Sequence, residues 1–268
     1  MKIGVRPHDL SFSTTQELCE ICKELGIDGL QLVSMKIFED KFWDQEFIDQ
    51  QINMIRSNGI DIFLLGSYFN MIHPNLEKLE SGIKVFEENT KTAKRNKISN
   101  IGSETGSVNG DDWTYNPLNH QEESYAKLEK TIDQVTSKLD EQYYLLEPVY
   151  DHVAHNLELT KRMMRNDRVA ITLDLANLLN VENHQSYLKI FEAFLAEFGS
   201  KIKIFHFKNF VIANNQKQAT ALDKGIIDYQ QIYELVIKYK LDDIPVIVEE
   251  LQGKMLEDSI KYLRSISQ

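Results

Sequence analysis

Strand-like and helix-like stretches alternate along this chain at a spacing of about thirty residues, the length of one βα repeat. That cadence restricts the fold more than any other feature of the sequence. Strand candidates fall at 2–8, 26–33, 60–65, 98–104, 143–148, 169–175, 201–209 and 244–250. Helix candidates follow each of them. Ser13 and Thr14 open the first and Gly26 stops it; the others cover 44–57, 76–94, 121–139, 154–165, 185–198, 229–240 and 255–265. Eight strands and eight helices in strict alternation predict an α/β fold, a closed (β/α)8 TIM barrel forming one domain over residues 1–268. An open doubly wound sheet would place G-x-G-x-x-G after its first strand, and none is there. Two stretches, 105–120 and 210–225, are long for such connections and are expected to be loops at a binding face.

With 268 residues, 42% of them hydrophobic, the chain can bury a core of that size. The net charge of −11 disfavours a phosphate-backbone partner, so no nucleic acid is expected. No apolar run reaches the roughly 18 residues of a membrane span, so no membrane partner is expected either. The first residues, MKIGVRPHDL, read as a strand rather than a signal peptide, which makes a cytoplasmic protein the expectation. Cys19 and Cys22 have no second pair to complete a zinc site. They read as small apolar residues on a buried helix face.

A strand alternates its faces with period two. In the seventh strand Ile202, Ile204, His206 and Lys208 share one face, and Lys203, Phe205 and Phe207 the other. The same rule gives Tyr143, Leu145 and Glu147 on the fifth strand, Ala170, Thr172 and Asp174 on the sixth, and Pro245, Ile247 and Glu249 on the eighth. Four consecutive strands therefore deliver Glu147, Asp174, His206 and Glu249 to their carboxyl ends, where barrels of this class keep their chemistry. Glu250 is the alternative to Glu249, and strand parity selects between them. Three carboxylates and one imidazole suit one divalent metal ion, Mn, Mg, Co or Zn. His73, His120, His152, His155 and His184 are given no metal role.

Further polar groups are placed at the mouth. Arg6 and His8 share a face of the first strand, and Arg6 either pairs with an inner carboxylate or grips substrate oxygens. Glu104, ending the fourth strand, either binds a hydroxyl or pairs with Arg6. Gln31 and Lys208 have the parity for hydroxyl contacts. Trp113 and Tyr115 either close over a substrate or pack their own loop down.

The segments GIDGLQL, LLEP, ITLDLAN, FHFKN, GIIDY and PVIVEE together resemble the xylose isomerase-like sugar isomerase/epimerase superfamily, whose wider circle includes endonuclease IV-type enzymes. The resemblance spans essentially the whole chain. It implies a divalent ion held by Glu147, Asp174, His206 and Glu249, with Glu147 and Glu249 also carrying the proton transfers. Asn177 stands where the family has a substrate-contacting His, and is grouped with the substrate-binding residues. Asn209 stands where the family has Asp. The implied function is a metal-dependent sugar or sugar-phosphate isomerase or epimerase working through an enediolate. The alternatives are a metal-dependent phosphodiester hydrolase of the endonuclease IV type and a non-catalytic sugar-binding barrel. The partner on this reading is a small-molecule sugar or sugar phosphate, and assembly into a homo-oligomer is left open.

Overall fold

The computed structural model describes residues 1–267. Eight parallel strands close a barrel: β1 (Ile3–Val5), β2 (Gly29–Leu32), β3 (Asp61–Gly66), β4 (Asn100–Glu104), β5 (Tyr143–Glu147), β6 (Val169–Asp174), β7 (Ile202–Phe207) and β10 (Val246–Val248). They neighbour one another in chain order, and β10 closes the ring against β1. The remaining pair, β8 (Asn209–Ala213) and β9 (Gln216–Thr220), forms an antiparallel hairpin outside the barrel.

The helices start where side chains can satisfy their first amides. Thr14 accepts from Glu17, Asp44 from Phe47, Asn75 from Glu77 and Lys78, and Asp228 from Gln230 and Gln231. The first helix, Thr15–Leu25, ends at Gly26 in the left-handed region (φ 68°), and Cys19 and Cys22 lie free and buried on its inner face. The main core fills the space between strands and helices. A second, smaller cluster of Phe63, Leu64, Leu145, Ala170, Ile204 and Ile247 is separate from it. Its residues on β5, β6, β7 and β10 have the inward parity, so they plug the barrel itself. Gly29 makes room for that plug: a Cβ there would lie 2.5 Å from the Phe63 ring.

Stepping two residues along from the plug reaches the carboxyl end of the barrel. Leu145 leads to Glu147, Ile204 to His206 and Ile247 to Glu249, and Ala170 leads through Thr172 to Asp174. Asp174 pairs in register with His206, and Glu104 with Glu147. The fold thus puts an apolar floor directly under a polar rim.

The structure corrects several expected bounds. The first strand stops at Val5, and Pro7–Asp9 turns into a 3-10 helix because proline cannot continue a ladder. His8 therefore leaves the strand. The eighth strand stops at Val248, and Glu250 adopts φ 58°. The helix after β5 covers only Leu157–Met163, so His152 and His155 sit in the turns before it. The expected loop 210–225 holds the hairpin, turned by Asn214 and Asn215 at φ 51° and 59°. A two-residue turn needs positive φ at both positions, and asparagine tolerates it.

Candidate metal centre

Each of the four inward residues lies at the carboxyl end of a barrel strand: Glu147 and Asp174 are the last of theirs, His206 the last but one, and Glu249 follows directly. Glu147, Asp174, His206 and Glu249 are 2%, 0%, 1% and 3% exposed, and each offers an atom within 4.8 Å of those of the others. His206 Nδ1 lies 3.5 Å from Glu147 Oε2 and 3.3 Å from Glu249 Oε1. Glu249, not Glu250, enters the cluster, and Glu250 pairs with Lys208 at 2.9 Å.

The carboxylates are held from behind. Asn177 Nδ2 donates to Glu147 Oε1 at 2.8 Å, and Tyr68 Oη donates to Glu147 Oε2 at 3.3 Å. Gln31 Nε2 donates to Tyr68 Oη at 2.9 Å and to Glu249 Oε1 at 3.2 Å. Asp174 Oδ1 accepts from the Asn177 backbone at 3.0 Å, capping the short helix Leu175–Leu178. Arg6 pairs bidentately with Asp9, at 2.7 and 3.0 Å, and reaches Glu249 Oε2 at 3.7 Å. Its partners are thus Asp9 and Glu249 rather than Glu104. Lys208 Nζ stands 3.2 Å from Asp174 Oδ2 and 3.8 Å from Glu249 Oε2.

Crowding these charges out of water moves their proton affinities. Burial would lower His206, but Glu249 and Glu147 outweigh it and hold the imidazolium up to about 9. Burial would raise Glu147, yet His206, Lys208 and the Asn177 amide bring it down to about 2. Burial takes Asp174 up to about 6, with the charges of Glu147 and Glu249 adding to it against Lys208. Burial, then the charge of Glu147, pushes Glu104 to about 8. Tyr68 is raised well above the usual phenol for the same two reasons.

The donor set fits a divalent cation. His206 Nε2 is buried without a partner among the described residues, and Asp174 Oδ2 and His206 Nδ1 have only ion-pair neighbours at 3.2 to 3.5 Å that do not meet hydrogen-bond geometry, an expensive arrangement unless something else satisfies them. Three carboxylates and one imidazole are the hard oxygen and nitrogen donors such an ion takes. The cluster can hold a metal.

A cavity of about 340 Å³ opens onto the cluster, lined by Glu147 and Glu249 and by Arg6, His8, Gln31 and Tyr68 among others. Lys36, Glu104, Trp113, Lys208 and Glu250 also line it. Tyr115 does not; it is exposed and packs edge-on against His120. Asn177 is engaged by Glu147. Asn209 lies away from the cavity, where its Nδ2 donates to Leu222 and Ile227 and its Oδ1 accepts from Phe210 and Ile227. An aspartate could not donate to those two carbonyls. A larger, more apolar hollow of about 630 Å³ near His155, Leu178 and Phe194 contains none of the four clustered residues.

Reasoning from strands missed Asp9, Tyr68 and His152. Asp9 and Tyr68 follow strand ends, where period-two parity no longer applies. His152 is 3% exposed, with Nε2 3.1 Å from the Trp113 carbonyl and Nδ1 3.6 Å from Glu104 Oε2.

Residues 19–266 match the family described as the xylose isomerase-like TIM barrel. The chain belongs to that family. No curated protein matches it significantly in sequence. Among solved structures, a D-tagatose 3-epimerase-like protein superposes with a TM-score of 0.78 at 13% identity, over 99% of this chain and 97% of that one. The probable 3-DHS dehydratase AsbF from Bacillus anthracis gives 0.73 at 16%, over 98% and 99%. Endonuclease IV from Thermus thermophilus gives 0.73 at 12%, over 99% and 98%. These three barrels are named for three different chemistries and stand at such low identity that the likeness speaks to the fold, and the reaction has to be argued from the site.

Proposed function

We propose that this chain is a metal-dependent isomerase or epimerase of a sugar or sugar phosphate, working by proton transfer next to a carbonyl. The observation that supports it most is the pairing of Glu147 and Glu249 about one imidazole, at 3.5 and 3.3 Å, from strands separated by two others. On this reading Glu147, Asp174, His206 and Glu249 hold the ion. A divalent ion bound there polarises a substrate carbonyl and acidifies the adjacent C–H. Glu147, held ionised, takes that proton, giving an enediolate, and Glu249 returns one from the other side. Return to the other face of the same carbon epimerises it, and return to the neighbouring carbon exchanges ketose for aldose. Arg6, His8, Gln31, Glu104, Trp113 and Lys208 bind and orient the sugar, and Asn177 acts through Glu147.

The test is deuterium exchange at the carbon beside the carbonyl. The full chain, loaded in turn with Mn, Mg, Co and Zn, is incubated in D₂O with ketohexoses and their phosphates and read by mass spectrometry. Metal-dependent incorporation is expected, lost in Glu147→Gln while metal analysis still finds bound ion. A panel without exchange would instead favour a non-catalytic binder, and metal-dependent nicking of an abasic duplex a phosphodiester hydrolase.

A further inference from the structure

Glu104 stands apart from the metal cluster, yet it lines the same cavity. Its strand, β4, lies four places from β10 around the eight-strand ring, so Glu104 and Glu249 face each other from opposite walls. A substrate lying across the mouth has one carboxyl group at each end.

Behind Glu104 is His152. The Trp113 carbonyl can only accept, so the ring nitrogen facing it, Nε2 at 3.1 Å, carries the proton. In a neutral imidazole that leaves Nδ1 as a bare acceptor. Nδ1 is buried, has no hydrogen-bond partner among the described residues, and faces Glu104 Oε2 at 3.6 Å. An ionised Glu104 offers this nitrogen nothing, because two acceptors would meet. A protonated Glu104 has the hydrogen this nitrogen needs, and closing the 3.6 Å gap makes the bond, as catalytic contacts that are long in unliganded sites often do on binding.

We propose that Glu104 is a third proton-transfer residue, held by His152, which handles the proton on substrate oxygen and makes the reaction an aldose–ketose isomerisation. This rests on the sugar-isomerase reading above. Glu147 breaks the C–H bond by taking its proton, and the electron pair left on carbon becomes the C=C bond. The carbonyl π pair moves onto oxygen, which takes the proton of Glu104, giving the enediol. In the second half, the neighbouring hydroxyl gives its proton to Glu104 as its oxygen becomes the new carbonyl. The C=C pair takes a proton from Glu249 at the former carbonyl carbon. Glu104 regains its starting state, Glu147 passes its proton to water while Glu249 takes one up, and no atom is gained or lost. Glu104 is the catalytic residue here, and His152 is a positioning residue. Burial of His152 lowers its proton affinity, in keeping with the neutral tautomer.

Two measurements decide it. Long-range ¹H–¹⁵N spectra of the histidine side chains, on the full chain with Mg or Zn, need no substrate. They should show His152 as the Nε2–H tautomer, its Nδ1 moving to the free-acceptor position in Glu104→Ala. An imidazolium at neutral pH, or an Nδ1 signal indifferent to Glu104→Ala, overturns the pairing. With fructose, psicose, tagatose and sorbose, Glu104→Gln should lower aldose formation roughly 10²–10⁴-fold more than it lowers α-hydrogen exchange. His152→Gln should lower the same ratio less, with its pH profile displaced. Equal losses of both activities, or aldose formation within tenfold of the unaltered protein, overturn the role of Glu104. If no sugar exchanges even with the unaltered protein, the isomerase reading fails and takes this step with it, while the spectra still decide the pairing.

Discussion

Asn177 donates its side-chain amide to Glu147 across 2.8 Å, and its backbone N–H to Asp174 across 3.0 Å. One residue of a four-residue helix thus orients two of the four clustered carboxyl and imidazole groups. Groups that orient metal ligands typically govern 10–100-fold in affinity. Asn177→Ala, which keeps the backbone bond and removes the amide, should weaken divalent-ion binding by about tenfold or more. Titration calorimetry with Mn and Zn measures it. Asn177→Asp should be worse, because a carboxylate against Glu147 repels where the amide donated.

Arg6 is wedged between Asp9 and Glu249 with 17% of its side chain exposed. Removing one member of a largely buried ion pair strands the others. Arg6→Met should cost the metal-free protein about 3 kcal/mol in urea unfolding. Asp9→Asn in the same chain should restore part of that. If Arg6→Met unfolds at the unaltered midpoint, the guanidinium is not balancing those carboxylates.

How far the sequence reveals this architecture depends on which physical rule is active at each residue. Helix starts are legible to within a residue or so where Thr14, Asp44 and Asn75 cap them, because capping is local chemistry. Strand faces are legible because an apolar plug imposes period two, and that same period carries Glu147, Asp174, His206 and Glu249 inward. The rule lapses two residues past a strand end. His8 and Tyr68 are placed by turns, and Asp9 by its bond to Arg6. The β8–β9 hairpin stayed hidden because Gln216, Lys217 and Gln218 are all exposed, leaving no apolar alternation to read. Its local signal is Asn214–Asn215.

That hairpin has a specific hold on the site. Lys217 Nζ donates to the carbonyls of Ala176 and Leu179, at 2.9 and 2.8 Å, closing the end of the helix that carries Asn177. Cations suit helix carboxyl ends, and hydrogen bonds from charged groups are stronger than neutral ones. Lys217→Met should speed amide exchange at 176–180 and weaken divalent-ion binding several-fold. Global stability should fall by only about 1 kcal/mol, given the exposure of the side chain. Unchanged exchange in that segment would show the hairpin to be a passenger.

The last prediction concerns pH and metal removal together. Without metal, burial would lower His206, but Glu249 and Glu147 hold it at about 9, above the ordinary 6.5 of the unfolded chain. A raised folded value means that its contribution to stability is fully present below pH 6.5 and is lost as pH rises through about 9. The chelated protein should therefore lose stability across that window, with about 3 kcal/mol from His206 for a shift of this size and a further loss up to about pH 8 from Glu104, whose buried carboxyl is raised to about 8. An ion must displace the His206 proton, so its affinity should rise about tenfold per pH unit up to pH 9, as ligand deprotonation requires. At a thousandfold excess over its dissociation constant, the ion adds about 4 kcal/mol. Urea midpoints from pH 6.5 to 9.5, with chelator and with Zn, measure both slopes. They should diverge as pH rises. Parallel slopes would mean that His206 is not the proton the ion replaces.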